Sequence, residues 1–258
     1  YNLWLMVGVL LNGVATFALA RDRRMGFGPA LVAGTVFAVA PFFQHELLNG
    51  TSELVFAPAL PLFALGWLRL LDHASPLPDM PQPRGTWWSS ALIAGGAAAL
   101  GGLASAYTPF FLILVGCASL AHRVIRRTEP VFTRRLILGS VICALVAGAF
   151  LGPVLLLHQA HGAGAIHARR VSWDPHELPL PDSSAPVLGF VDPRKVELPY
   201  LQLRNDGTVY LYWTLGTVTL GFVALALAVV GLVRRRGSEV GLWLGILLCA
   251  VAIALGPY

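Results

Sequence analysis

The chain has 258 residues, of which 56% are hydrophobic and 12% are charged, whereas roughly 25% of residues are charged in an average soluble domain. With a mean hydropathy of +0.70, this composition excludes an ordinary water-soluble globular domain. The formal net charge of +5 collects in clusters between apolar stretches, so it indicates membrane topology and predicts no nucleic-acid partner.

Eight apolar stretches without a charged residue organise the chain from its first residue to its last. About 20 apolar residues in a helix cross the ~30 Å hydrocarbon layer, and backbone amides in lipid must bond within their own segment. The predicted helical spans are residues 1–20, 27–41, 54–68, 88–104, 110–121, 136–157, 210–233 and 240–258. We therefore predict an all-α fold, a single polytopic transmembrane helix bundle over residues 1–258 with about eight membrane-spanning helices in a lipid bilayer.

Basic residues between the spans predict the orientation of the bundle. Thirteen of the 18 Lys and Arg residues lie in every second gap, and the positive-inside rule places those gaps in the cytoplasm. These residues are Arg21, Arg23, Arg24, Arg69, Arg84, Arg123, Arg126, Arg127, Arg134, Arg135, Arg234, Arg235 and Arg236. The other gaps hold eight of the 13 acids, and we predict that they face outward.

The outer side has three segments: a turn at 42–53, a tight connection at 105–109 and a long segment at 158–209. Six prolines in the long segment predict an irregular loop with at most short helices. Ion-coupled transporters usually bind their ion through ionisable groups at mid-membrane, and the eight spans contain none. We therefore look for chemistry at the outer membrane interface.

The first outer turn carries the candidate catalytic residues, Glu46 and Glu53. A carboxylate in this position can remove a proton from an acceptor hydroxyl, and His45 beside them is a candidate substrate-binding residue. An alternative stays open for each of the three. Glu53 near a helix N-terminus also suits helix capping, and contact with water alone also explains His45 and Glu46.

Three further residues are candidates for substrate binding. Arg169 and Arg170 lie at the start of the long outer segment, where a guanidinium pair can hold a lipid phosphate at headgroup level. General attraction to anionic headgroups is the alternative for this pair. Tyr107 can stack on a sugar ring, although a tyrosine of the interfacial aromatic belt would occupy the same position. The sequence predicts no metal site.

Four segments carry a family resemblance that covers nearly the whole chain: YNLWLMVGVLLNGVATFALARDRR, PFFQHELLNGTSELVFAPALPLFALGWLRLL, LASAYTPFFLILV and LWLGILLCAVAIALGPY. Together they resemble bacterial multi-spanning glycosyltransferases of the GT-C superfamily, to which protein O-mannosyltransferases and lipid A aminoarabinose transferases belong. Gly50 followed shortly by Glu53 is similar to the family's pattern of a glycine and an acid at the start of a helix.

The resemblance implies an integral membrane glycosyltransferase of the bacterial inner (plasma) membrane. Such an enzyme takes a sugar from a polyprenyl-phosphate carrier and transfers it to an acceptor at the extracytoplasmic face, with no nucleotide or other cofactor in the membrane site. The family's catalytic Asp lies in an outer loop before the second helix. Because the chain begins at about that helix, we expect it to be an internal piece, with the catalytic Asp upstream of Tyr1.

Two other classes of function stay open from the sequence. One is a transporter or flippase of a lipid-linked or polysaccharide intermediate, which needs a continuous polar path through the membrane. The other is a non-catalytic membrane assembly protein, whose outer loops bind a protein partner.

Overall fold

The computed structural model of the chain describes residues 2–40, 43, 55–76, 84–105, 108–126, 133–168, 200–203, 209–212 and 240–247. Its helices are α1 (Asn2–Asp22), α2 (Phe27–Ala38), α3 (Ala59–Ala74), α4 (Trp87–Ala104), α5 (Thr108–Arg126) and α6 (Arg134–Ala168). Residues 240–247 form a further helical segment. Two short strands, β1 (Tyr200–Leu203) and β2 (Val209–Tyr212), pair antiparallel, with Tyr200 opposite Tyr212.

Four of the described helices are long and apolar enough to cross a membrane. Their apolar windows are Leu5–Asp22 in α1, Trp87–Ala104 in α4, Thr108–Arg126 in α5 and Arg134–Leu157 in α6. The chain therefore has the character of a membrane protein, and the predicted helical bundle is confirmed to that extent. The count of eight spans goes beyond these four helices and stays a prediction.

The third predicted span is interrupted at residues 56–58, which we name the break segment. These residues are not helical, although they lie inside the predicted span 54–68. Pro58 accounts for the interruption, because proline lacks an N–H group and disfavours helical backbone at the residue before it. α3 starts only at Ala59, and its 16 residues measure about 24 Å. The prediction of one continuous helix over residues 54–68 is therefore wrong.

α3 lies at the centre of the described bundle, where it contacts α1, α4, α5 and α6. A small residue brings it close to α4: a methyl group on Gly66 would lie 2.5 Å from the amide nitrogen of Ala94. Glycine at such positions lets two membrane helices approach backbone to backbone. Two apolar clusters surround α3; one contains Phe63, Ala94, Ala97, Leu112 and Cys143, and the other contains Leu68, Leu70, Leu71, Ala74, Ala91, Leu136 and Leu242.

Neighbouring glycines of α4 lie in different surroundings. A methyl group on Gly95 would lie 2.9 Å from the carbonyl oxygen of Cys143 in α6, whereas one on Gly96 would meet nothing within 4 Å. Gly95 is therefore a helix contact, and Gly96 lies next to open space.

The described parts of segment 158–209, which is predicted to be an irregular outer loop, differ from that prediction in two places. α6 continues to Ala168, and residues 158–168 contain no proline that would end the helix. β1 and β2 form a hairpin around the sequence Asn205, Asp206, Gly207, which is a known turn signal. Residues 210–212 belong to β2 and not to a helix, so the predicted span 210–233 does not begin at Tyr210; the described chain is otherwise helical, as the all-α prediction expects.

Candidate functional site

The six site residues predicted from the sequence all lie outside the described residues: His45, Glu46, Glu53, Tyr107, Arg169 and Arg170. Their roles therefore stay predictions. Described positions nevertheless adjoin them in the chain, since Val55 follows Glu53 by two residues and Thr108 directly follows Tyr107.

A polar contact joins α1 to the break segment. Asn12 is the middle residue of α1 and is 0% exposed. Its Nδ2 donates a hydrogen bond to the carbonyl oxygen of Val55 at 2.8 Å, and its Oδ1 accepts one from the amide of Ala57 at 3.0 Å. One carboxamide thus binds both a backbone acceptor and a backbone donor beside the break, where lipid provides no partner for either group.

An ion pair between α1 and α3 gives the distance of this contact from the C-terminal ends of the two helices. Arg69 of α3 binds Asp22 of α1, with Nη2 2.6 Å from Oδ1. Asn12 lies ten residues before Asp22, and Ala59 lies ten residues before Arg69. Both positions are thus about 15 Å from the ion pair along their helices, which is half the ~30 Å hydrocarbon thickness.

An apolar groove lies between α1 and α2, beside this contact. Its volume is about 770 Å³, and Leu10, Gly13, Leu31 and Gly34 are among the residues that line it. The two helices nearly touch at the glycines, because a methyl group on Gly34 would lie 2.6 Å from the carbonyl oxygen of Gly13. Leu10 and Leu31 are exposed, so the groove is open at the surface of the described bundle.

A second polar site lies at the C-terminal ends of α1, α3 and α5. We name it the charge cluster, and its members are Asp22, Arg23, Arg69, Asp72 and Arg123. Asp72 is 4% exposed and Arg123 is 3% exposed. Asp72 binds Arg123 through Oδ1 and Arg23 through Oδ2, the latter at 2.9 Å. Since Asp22 binds Arg69 and lies 3.4 Å from Arg23, each carboxylate faces two guanidinium groups.

The charge cluster has a structural role in the bundle. Arg123 also donates from Nη1 to the carbonyl oxygen of Ser75 at 3.0 Å, at the C-terminal end of α3. A cation at that end is favourable because it faces the negative pole of the helix dipole. From the sequence, these arginines are topology markers, and the positive-inside rule contains no information about burial. The one feature of the sequence that could have indicated this charge cluster is an acidic residue near the end of each of two helices, Asp22 in α1 and Asp72 in α3.

His73 lies next to the charge cluster, beyond the predicted span 54–68. Its Nε2 is buried and has no hydrogen-bond partner among the described residues. Burial lowers the pKa of His73 from 6.5; Asp72 opposes this shift, and Arg135 and Arg69 add to it. The folded chain therefore favours the neutral imidazole.

The stability of the bundle is therefore expected to fall as the pH decreases below 6.5. In that range the unfolded chain binds a proton at His73 that the folded chain does not bind, so protonation favours unfolding. The loss begins near the unfolded pKa and ends at the lower, folded one. The free energy of unfolding in detergent, measured from pH 8 downward, should decrease less steeply for His73→Gln than for the wild type. Equal slopes in the two proteins would contradict this assignment.

Within the part of the chain that the structure describes, no group of three or more His, Cys, Asp or Glu side chains is arranged to hold a metal ion. Comparison of the chain with protein-family models, with curated proteins and with solved structures gives no match.

Proposed function

We propose that this chain is the membrane part of a glycosyltransferase that acts at the outer face of the bacterial plasma membrane. Its donor is a sugar carried on polyprenyl phosphate, and its acceptor carries a hydroxyl group. In this proposal the chain crosses the membrane several times. Glu53 and Glu46 are the carboxylates that remove a proton from the acceptor hydroxyl. Arg169 and Arg170 bind the phosphate of the donor. His45 and Tyr107 bind the sugar or the acceptor.

The observation that carries the proposal is the non-helical break segment inside the bundle, directly before α3. Irregular backbone inside a membrane is tolerated where protein buries it or where it borders a site, and interrupted helices are a common way to build such sites. The break directly follows the turn that carries His45, Glu46 and Glu53. Asn12 forms hydrogen bonds with the backbone on both sides of Phe56, so the backbone directly after that turn is bound to α1.

The groove between α1 and α2 gives further support. Ligand sites commonly have volumes of about 300 to 1,000 Å³, and this groove has about 770 Å³. Its lining residues are almost all apolar, including Val9, Phe17 and Ala38. An isoprenoid chain has no polar group to satisfy, so this surface suits the lipid part of the proposed donor.

A transfer assay in membranes that contain the full-length protein tests the proposal. Polyprenyl phosphate carrying a radiolabelled sugar is supplied, with mannose first and other sugars in turn, and the label in the acceptor fraction is measured. We expect transfer above that of membranes without the protein. No transfer with any donor, at confirmed protein levels, would overturn the proposal.

The double variant Arg169→Ala, Arg170→Ala is expected to lower transfer at least tenfold, because the phosphate loses its charge-assisted hydrogen bonds as it leaves. Arg194→Ala, Lys195→Ala is the matched control, since it removes a basic pair from the same outer segment. Transfer by this control should stay within twofold of the wild type. Equal losses in the two double variants would indicate a general charge effect and would remove the phosphate role of Arg169 and Arg170.

A further inference from the structure

We propose that the groove between α1 and α2 binds one acyl chain of an anionic phospholipid, such as phosphatidylglycerol, whose phosphate contacts Arg21 and Arg24. The lipid is a bound partner and not a reactant. This inference goes beyond the proposed function, and it does not depend on sugar transfer.

Two exposed arginines, Arg21 and Arg24, lie beyond one end of the groove. Phe17 and Phe27 line that end, and their rings meet edge to face with centroids 5.6 Å apart. Arg21 follows Phe17 by four residues, so both lie on the same face of α1. Arg21 Nη1 donates to the carbonyl oxygen of Met25 at 2.8 Å, in the connection that leads to α2. The guanidinium group of Arg21 is therefore next to the aromatic end of the groove.

The charged residues at 21–24 have two different surroundings. Asp22 and Arg23 belong to the charge cluster inside the bundle. Arg21 and Arg24 are exposed, and neither forms an ion pair with an acid within the part of the chain that the structure describes. Their positive charge therefore faces the membrane surface, where anionic lipids attract Lys and Arg side chains.

The length of the groove and the charge at its ends favour a phospholipid as the occupant. Its lining in α1 extends from Leu5 to Phe17, a distance of about 18 Å, and one leaflet contributes about 15 Å of hydrocarbon. The donor of the proposed function carries its phosphate at the outer face, so its chain would enter from the opposite end, at Leu5 and Ala38. Described residues 2–6 and 38–40 at that end carry no charge. Charge complementarity therefore favours a lipid whose phosphate lies at Arg21 and Arg24.

The backbone of Arg24 makes it possible to separate lipid binding from folding. Arg24 has a φ of 59°, in the left-handed region that glycine adopts at lower cost than other residues. The amide of Met25 donates to the carbonyl oxygen of Ala20 at 3.0 Å, as in the helix ends where glycine is the usual residue. Arg24→Gly therefore removes a guanidinium group from a position where glycine suits the backbone.

The test measures lipid binding by native mass spectrometry of the full-length protein in detergent. Phosphatidylglycerol is the probe, and phosphatidylcholine with the same acyl chains is the zwitterionic comparison. Arg24→Gly is expected to raise the Kd for phosphatidylglycerol at least threefold, while the midpoint of unfolding in an SDS titration stays the same or increases. The double variant Arg21→Gln, Arg24→Gly should raise the Kd at least tenfold, because the phosphate loses its charge-assisted hydrogen bonds.

The matched control for the arginines is Arg84→Gln, Arg134→Gln, which removes two exposed charges that precede or begin α4 and α6. Its Kd should stay within twofold of the wild type. Equal losses for the two arginine pairs would indicate general attraction to a basic surface and would overturn the proposal. Equal Kd values of the wild type for phosphatidylglycerol and phosphatidylcholine would overturn it too.

A second pair of variants tests the groove itself. Leu31→Trp fills the groove and should raise the Kd at least threefold, whereas Leu103→Trp on α4, at a position that is equally 50% exposed, should leave it within twofold. Displacement of the lipid by glycerol 3-phosphate at equal concentration, or no effect of Leu31→Trp, would show that only the headgroup binds and would remove the groove from the site. Tighter binding of polyprenyl phosphate, unchanged in the arginine variants, would assign the groove to the donor and overturn the proposal.

Discussion

Asp72→Ala is expected to destabilise the bundle more than any other single substitution that we consider. The carboxylate of Asp72 binds Arg123 and Arg23, whose side chains are 4% and 7% exposed. Its removal leaves two buried guanidinium groups without this counter-charge, and breaking a buried ion pair in this way costs about 3 to 5 kcal/mol. Because the whole folded state is stable by only about 5 to 15 kcal/mol, the helix signal should disappear at a much lower SDS fraction in a mixed-micelle titration.

Asp22→Ala is the matched control for this prediction. The side chain of Arg69, its main partner, is 20% exposed and can turn towards water, while Arg23 keeps its bond to Asp72. The expected loss is therefore smaller than for Asp72→Ala, about 1 to 2 kcal/mol, because one partner of the broken pair keeps access to water. The double variant Asp72→Leu, Arg123→Met should be more stable than Asp72→Ala, because apolar side chains often replace a buried pair at little cost. Equal losses for Asp72→Ala and Asp22→Ala would contradict the assignment.

Sequence patterns predict the parts of this fold that depend on local composition. α1, α4 and α5 lie where apolar runs without charge predict them. In lipid, a single segment can hydrogen-bond all of its own backbone amides only as a helix. The start of α3 differs, since residues 54–57 are as apolar as the helix that follows them. Only the local restriction at Pro58 interrupts that run, and hydropathy does not register it.

Contacts between distant segments account for what the sequence does not predict. Asn12 is one polar residue in an apolar run, and its partners Val55 and Ala57 are backbone groups that no pattern in the sequence marks. The burial of Arg123 likewise depends on α3 and α5 placing Asp72 beside it. The candidate site residues predicted from the sequence are polar residues of segments that we predict to lie outside the membrane. The polar contacts in the described residues are instead buried between helices.

Gly66→Ala is expected to lower the free energy of unfolding by about 3 kcal/mol, the upper end of the range for overpacking a core. The added methyl group would lie 2.5 Å from the amide nitrogen of Ala94 and 2.8 Å from the carbonyl oxygen of Ser90. Both atoms belong to the backbone of α4, so no rotation of a side chain can relieve the contact. α3 and α4 must therefore move apart, which disturbs the apolar clusters on both sides of α3.

Gly96→Ala tests whether this loss comes from the contact or from the substitution itself. Both glycines are helical, and both gain about 1 kcal/mol of helix propensity on conversion to Ala. At Gly96 the new methyl group meets nothing within 4 Å, so that variant should be as stable as the wild type or slightly more stable. The same SDS titration, with helix content read by circular dichroism, gives both values. If Gly66→Ala is also neutral, α3 and α4 are not in backbone contact at this position, and the central place of α3 in the bundle would need revision.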